Sequence, residues 1–359
     1  MDVSYYSDFH LFLRMKVPHQ ALLSVTNLRT FAGIVYSATG TGNKIENIST
    51  IVKRFFFMNR DYSDFCDSGA TWKEEYVSLP TGVELLSVVF TPPEPAAAPV
   101  ILFIPGFVSL IDNFRGTLVE LTRTHTVIYV ETREKSTARI SQDHRFSVDD
   151  ITTDVVHFAE LRIPEGLPFV MAGWSLGATA IAEAFPRLVL KPGAVLLIEP
   201  NSSFPFNGLA LFFARLAKYI YRPVVPFVKW YMRTFLIDIK TDEEMYLINC
   251  RNLDTAEPAR LGMAVRQLSR YRMAGCLEQI SVPALVVVTS KDRFHSHGEG
   301  TEIAARIPCA KCLDMEDNKR THSAEMGRVI SDFISSQAGK PAPSGQPYQE
   351  ISLSSSLLS

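Results

Sequence analysis

A serine set between two glycines, in Gly173-Trp174-Ser175-Leu176-Gly177, is the stretch of this chain best suited to chemistry. A hydroxyl attacks a carbonyl only when its backbone presents it outward and a base can take its proton. The apolar run Phe169-Val170-Met171-Ala172 leads into the pentapeptide, and the small residues Ala178-Thr179-Ala180 lead out of it, so the order reads strand, sharp turn, helix. A serine at such a turn takes a strained backbone conformation. Its neighbours two residues away must lack bulk for strand and helix to approach, and Gly173 and Gly177 meet that need. Ser175 then stands above a sheet edge, with the Leu176 backbone N–H aimed at the oxygen that becomes negative on attack.

The elements that would position this serine begin at Trp72, where the texture changes to short strand-like runs. Lys73 to Leu79 and Leu85 to Phe90, joined by Pro80-Thr81-Gly82, predict an antiparallel hairpin. Val100 to Ile104 is a continuous apolar run of the kind buried on both faces, ending in Pro105-Gly106-Phe107. A helix around Leu118 to Thr122, a strand over Thr126 to Val130, a helix over Val148 to Leu161 and the strand before Ser175 follow in turn. After the serine come strands at Val195 to Ile198, Leu285 to Val288 and Cys309 to Met315, and a closing helix over Ala324 to Ser335. This alternation predicts an α/β architecture: a mostly parallel sheet with helices on both faces.

The alternation breaks between about residues 201 and 275, which read as helix after helix, a cap inserted late in the sheet over the strand ends. The full expected division is an N-terminal helical extension over 1–68, a core in two parts (69–200 and 276–336), the cap over 201–275, and a disordered tail over 337–359 rich in Pro and Ser.

Composition narrows the function classes. With 359 residues, 47% of them hydrophobic, the chain can bury a large core, and a net charge of −2 provides no global field for nucleic acid. The five cysteines are scattered and odd in number, which suits reduced thiols; Cys309 and Cys312 lack a second pair and read as strand residues, so no metal site is expected. The start Met1-Asp2-Val3-Ser4 is not that of a secretory signal, and the expectation is a cytoplasmic protein.

The topology, together with Pro105-Gly106-Phe107, Gly173-Trp174-Ser175-Leu176-Gly177, Thr289-Ser290-Lys291-Asp292 and the late His322, resembles the α/β-hydrolase superfamily over about residues 72–335. The resemblance implies a triad ordered nucleophile, acid, histidine. Three histidines follow Ser175, namely His295, His297 and His322. His322, between the last strand and the last helix, stands where the family places its base. Asp292, four residues past the strand ending at Val288, is the implied acid; Glu199, at the end of the strand after Ser175, is the alternative, since some members place the acid there. The second oxyanion donor would be the backbone N–H of Phe107.

Two departures stand out. Pro105 replaces the usual histidine before Gly106, and the charged stretch Glu131-Thr132-Arg133-Glu134-Lys135-Ser136 stands where a glycine-rich turn is common. A buried Arg133–Glu pair and a solvated loop both fit that stretch.

The expected function is a serine hydrolase that cleaves an ester or related carbonyl compound with an apolar, acyl-like portion, without metal or organic cofactor. Thioester, amide or carbon–carbon hydrolysis and acyl transfer fit the same fold, and a non-catalytic binding or scaffold role is the rival of another class. On the cap, Phe212, Phe213, Trp230 and Tyr231, with Trp174 beside the serine, are the candidate walls of an apolar pocket. The interspersed Arg215, Lys218, Arg222, Lys229 and Arg233 suit peripheral contact with a membrane. A cap merely packed on the core fits the same residues. Oligomeric state is not readable from these features.

Overall fold

Apolar runs without polar alternation must be covered on both sides, and the chain meets that demand with a ten-stranded sheet. The structure is a computed structural model that describes residues 60–94, 98–140, 144–237, 239–291, 297–337 and 349–351. Strands β1 (Thr71–Ser78), β2 (Val83–Thr91), β3 (Val100–Ile104), β4 (Val127–Val130), β5 (Arg139–Ile140), β6 (Phe169–Trp174), β7 (Val195–Ile198), β8 (Ala284–Val288), β9 (Ala310–Asp314) and β10 (Gln349–Ile351) carry it. The spatial order is β1-β2-β4-β3-β6-β7-β8-β9-β10, with β5 paired to β2. From β4 to β10 every pairing is parallel, while β1, β2 and β5 supply the antiparallel edge.

Side chains alternate across each strand, so one set of strand residues meets one helical layer and the next set meets the other. Leu102, Ile104, Met171, Leu197 and Val286 join residues of α2 (Val148–Arg162), α3 (Leu176–Ala184) and α7 (His297–Arg306). Ile101, Phe103, Val170, Leu196 and Val287 join α1 (Arg115–Leu121) and α8 (Ala324–Gln337) on the opposite face. Between β7 and β8 the cap contributes α4 (Gly208–Tyr231), a π turn over Met232–Leu236, α5 (Ile239–Thr255) and α6 (Pro258–Leu268).

Three expectations need revision. The core begins at Tyr62 rather than at residue 69, because Tyr62, Phe65 and Cys66 are buried in the same cluster as Phe90 and Phe103; residues 1–59 lie outside the described residues. Gln349–Ile351, inside the segment expected to be disordered, pairs in parallel with Lys311, Cys312 and Leu313, which extends the open edge of β9. The charged stretch after β4 is neither a solvated loop nor an Arg–Glu pair. Arg133 is buried and bonds Asp154 of α2 through two nitrogens at 2.6 and 2.5 Å, and it donates to the Arg145 carbonyl at 3.1 Å. The fork shape of the guanidinium matches the carboxylate and anchors the stretch against α2.

Candidate active site

Register decides what the sheet delivers to one edge. Ile104 pairs with Gly173, and Gly173 and Trp174 pair with Leu197 and Ile198, so β3, β6 and β7 end side by side. Their continuations are Pro105-Gly106-Phe107, Ser175 and Glu199. Ser175 has φ 48° and ψ −112°, a conformation that costs a non-glycine residue roughly 1–3 kcal/mol and persists only where the surroundings enforce it. They do so here: its N–H donates to the Ile198 carbonyl at 2.8 Å and its own carbonyl accepts from Thr179 at 3.0 Å.

The flanking glycines are dictated by contact. A Cβ on Gly173 would lie 2.6 Å from the Gly177 carbonyl carbon, and one on Gly177 would run into the Ile104 carbonyl oxygen. The start of α3 therefore sits directly against the loop after β3. A Cβ on Gly106 would lie 3.4 Å from Ser175 Cβ, which puts the Gly106–Phe107 peptide beside Ser175. Leu176 is the first residue of α3, where the backbone N–H has no intrahelical acceptor.

His322 follows a short helical turn over Asn318–Thr321 and precedes α8. Its ring stacks on Phe114, with centroids 5.1 Å apart, and Nδ1 lies 3.0 Å from the Asn318 carbonyl and 3.1 Å from Thr321 Oγ1. A proton on Nδ1 donated to that carbonyl selects the tautomer whose Nε2 accepts a proton.

Glu199 is buried, with φ 51°, and its carboxylate accepts from Thr289 Oγ1 at 3.0 Å and from Asn318 Nδ2 at 2.8 Å. Glu199 thus ties β7 to the turn that carries His322. Asp292 and His295 lie outside the described residues. His297 is the first residue of α7.

Trp174 is 1% exposed and stacks on Phe103 at 4.3 Å between ring centroids, while its indole N–H donates to the Thr321 carbonyl at 2.9 Å. It braces the histidine loop from inside the core, which corrects its reading as a pocket wall.

The cap aromatics differ from expectation in a second way. Phe212, Phe213, Trp230 and Tyr231 are 52, 44, 52 and 44% exposed. Where α4 meets α6 the contact is made instead by small residues: Gly262 of α6 lies so close to Ala214 and Ala217 that a Cβ there would meet the Ala214 carbonyl. Small side chains let the two helices approach, and the large ones are left outside.

The sequence reading did not single out Asn201. Its Oδ1 accepts the Ser175 hydroxyl at 2.9 Å, and its backbone N–H and carbonyl both bond Thr179 Oγ1, at 3.1 and 2.9 Å. The available signal was its place just past Glu199-Pro200, in the loop that follows β7, the strand next to β6.

By sequence, no family model and no curated protein matches the chain. Solved structures do match in shape. An enol-lactonase from Burkholderia xenovorans LB400 superposes with a TM-score of 0.60 at 17% identity, covering 73% of this chain and 100% of that one. A thermophilic esterase from Thermogutta terrifontis gives 0.62 at 16% identity, covering 74% and 99%. A membrane phospholipase A described as a bacterial virulence factor gives 0.60 at 16% identity, covering 93% and 100%. The fold of this chain is the α/β-hydrolase fold, with its helical insertion between β7 and β8.

Proposed function

We propose that the protein is a serine hydrolase acting on an ester with an apolar acyl portion. The observation that carries this reading is the strained Ser175, on a strand-to-helix turn beside the Gly106–Phe107 peptide. Ser175 Oγ attacks the carbonyl carbon as His322 takes its proton; the Phe107 and Leu176 N–H groups stabilise the oxyanion; His322 returns the proton to the leaving alcohol, and water releases the acid by the same route. Asp292 is assigned to orient the histidine. Glu199 is the second assignment, supported by its bond to Asn318, whose carbonyl holds His322 Nδ1.

The test is hydrolysis of a series of soluble esters of increasing acyl length by the parent and by Ser175→Ala. Ser175-dependent turnover of esters supports the reading. Ser175-dependent turnover only of thioesters, amides or carbon–carbon substrates, or only of acyl transfer to an alcohol, would redirect it within the fold. No turnover of any of them would favour a binding or scaffold role.

A lipid surface is proposed as the source of the substrate. At 3.6 residues per turn, Leu209, Phe212, Phe213, Leu216, Phe227, Trp230 and Tyr231 fall on one strip of α4, and all are exposed. Arg215, Lys218 and Arg222, also exposed, fall on the adjacent strip. An apolar strip edged by cations matches a helix lying in the plane of an anionic membrane. Among the described residues no helix is long and apolar enough to cross one. Lys229 is dropped from this surface, because its ammonium is 2.6 Å from both carboxylate oxygens of Asp254.

Replacing Arg215, Lys218 and Arg222 by Gln is expected to weaken binding to vesicles containing phosphatidylserine by about 1 kcal/mol per charge, or roughly two orders of magnitude in all. Turnover of a short soluble ester should stay at the parent rate. Unchanged vesicle affinity would exclude this surface.

A further inference from the structure

We infer that Lys135 is a positioning residue that holds the oxyanion-binding peptide in its working orientation, an inference that rests on the assignment of Phe107 to the oxyanion site. A lysine head group is among the groups least often taken out of water, yet this side chain is only 2% exposed. Each of its three donors has an acceptor: Thr132 Oγ1 at 2.6 Å, Glu134 Oε1 at 2.9 Å and the Gly106 carbonyl oxygen at 3.1 Å. The first two lie within its own stretch and fix the ammonium. The third lies on another loop, next to the nucleophile.

That third contact has a geometric consequence. The Gly106 carbonyl and the Phe107 N–H belong to one planar peptide, and no described peptide bond is cis, so the two groups point in opposite directions. Drawing the carbonyl oxygen to Lys135 turns the Phe107 N–H the other way. A Cβ on Gly106 would lie 3.3 Å from the Trp174 carbonyl oxygen and 3.4 Å from Ser175 Cβ, so this peptide has the elbow as its close neighbour.

The loop needs holding. Val108, one residue beyond Phe107, has φ 61°, which is unfavourable for a β-branched side chain, so the loop carries backbone strain that its anchoring contacts must hold. Ser109 N–H also donates to the Gly106 carbonyl, over a longer 3.3 Å.

Lys135 is itself anchored from two sides. Arg133 ties the stretch to α2 through Asp154, and Arg260 of the cap donates to the Lys135 carbonyl at 2.9 Å and the Ala138 carbonyl at 2.8 Å. Burial depresses the Arg260 pKa, with the Glu257 charge opposing that effect. The charged residues that replace a glycine-rich turn therefore form a rigid arm, rooted in the core and the cap, that ends on the oxyanion loop.

The experiment uses the full-length protein and an accident of sequence: Gly106-Phe107 is the one Gly–Phe dipeptide in the chain. Labelling glycine carbonyls with ¹³C and phenylalanine nitrogens with ¹⁵N gives a single carbonyl–amide correlation, from this peptide. The variants are Lys135→Met and, so that no buried carboxylate is left uncompensated, the double variant Lys135→Met with Glu134→Gln. Circular dichroism confirms that they fold.

The correlation should move or double in both variants. The kcat for Ser175-dependent ester hydrolysis should fall on the order of 10²- to 10³-fold, as when an oxyanion donor is lost, with KM held within about a factor of two. An unmoved correlation overturns the inference, and so does a moved one with parental kcat. If the parent shows no Ser175-dependent turnover, the hydrolase reading fails instead, and the correlation alone decides whether Lys135 holds the peptide.

Discussion

Ser175→Ala is expected to lower kcat for ester hydrolysis by on the order of 10⁶ and to leave the protein folded. The side chain removed is one hydroxyl, which donates to Asn201; the backbone bonds that enforce the turn, from Ser175 N–H to Ile198 and from Thr179 to the Ser175 carbonyl, do not involve it. His322→Ala should cost a similar factor, because a nucleophile and its base act as one unit and removing either removes the same step. The histidine variant also loses the ring stacked on Phe114, so its melting temperature should be measured beside its rate. Loss of rate with parental melting is the expected result for Ser175→Ala. Parental turnover in a folded sample of either variant would contradict the assignment.

The second large effect concerns the acid. Asp292→Asn should lower kcat on the order of 10⁴-fold if its carboxylate sets the tautomer of His322, with little change in KM. Glu199→Gln should then act chiefly on stability, because Glu199 accepts bonds from Thr289 and Asn318 and knits β7 to the turn before His322. The reverse pattern, a 10⁴-fold loss in Glu199→Gln with near-parental kcat in Asp292→Asn, would move the role to Glu199. Comparing kcat with the melting temperature for both variants separates the two cases.

The features that could be read from sequence are those whose physical cause is local. Val100 to Ile104 is apolar at every position because both faces of the strand are covered, and its bounds in the structure are those expected. Gly173 and Gly177 flag the close approach of strand and helix without any knowledge of the partner, and the structure supplies that partner in the Ile104 carbonyl.

What stayed illegible depends on which distant residue a side chain meets. Trp174 looks the same in sequence whether it walls a pocket or braces the histidine loop, and its bond to Thr321 spans 147 positions. The direction faced by the cap aromatics turns on the Gly262 contact with Ala214, a pairing of two helices that no periodicity announces. The glutamates beside Arg133 in sequence suggest a local pair or a solvated loop; the partner is Asp154, 21 positions on, brought near by α2. Asn201 and Lys135 were missed for the same reason, since each acts on a residue 26 or 29 positions away.

The central claim is that Ser175 is an activated nucleophile. Its most direct test is reaction of the folded parent and of folded Ser175→Ala with a fluorophosphonate, followed by mapping of the modified peptide by mass. The account predicts one adduct, on Ser175, in the parent and none in the variant. An adduct on another residue, or equal labelling of the two proteins, would contradict it.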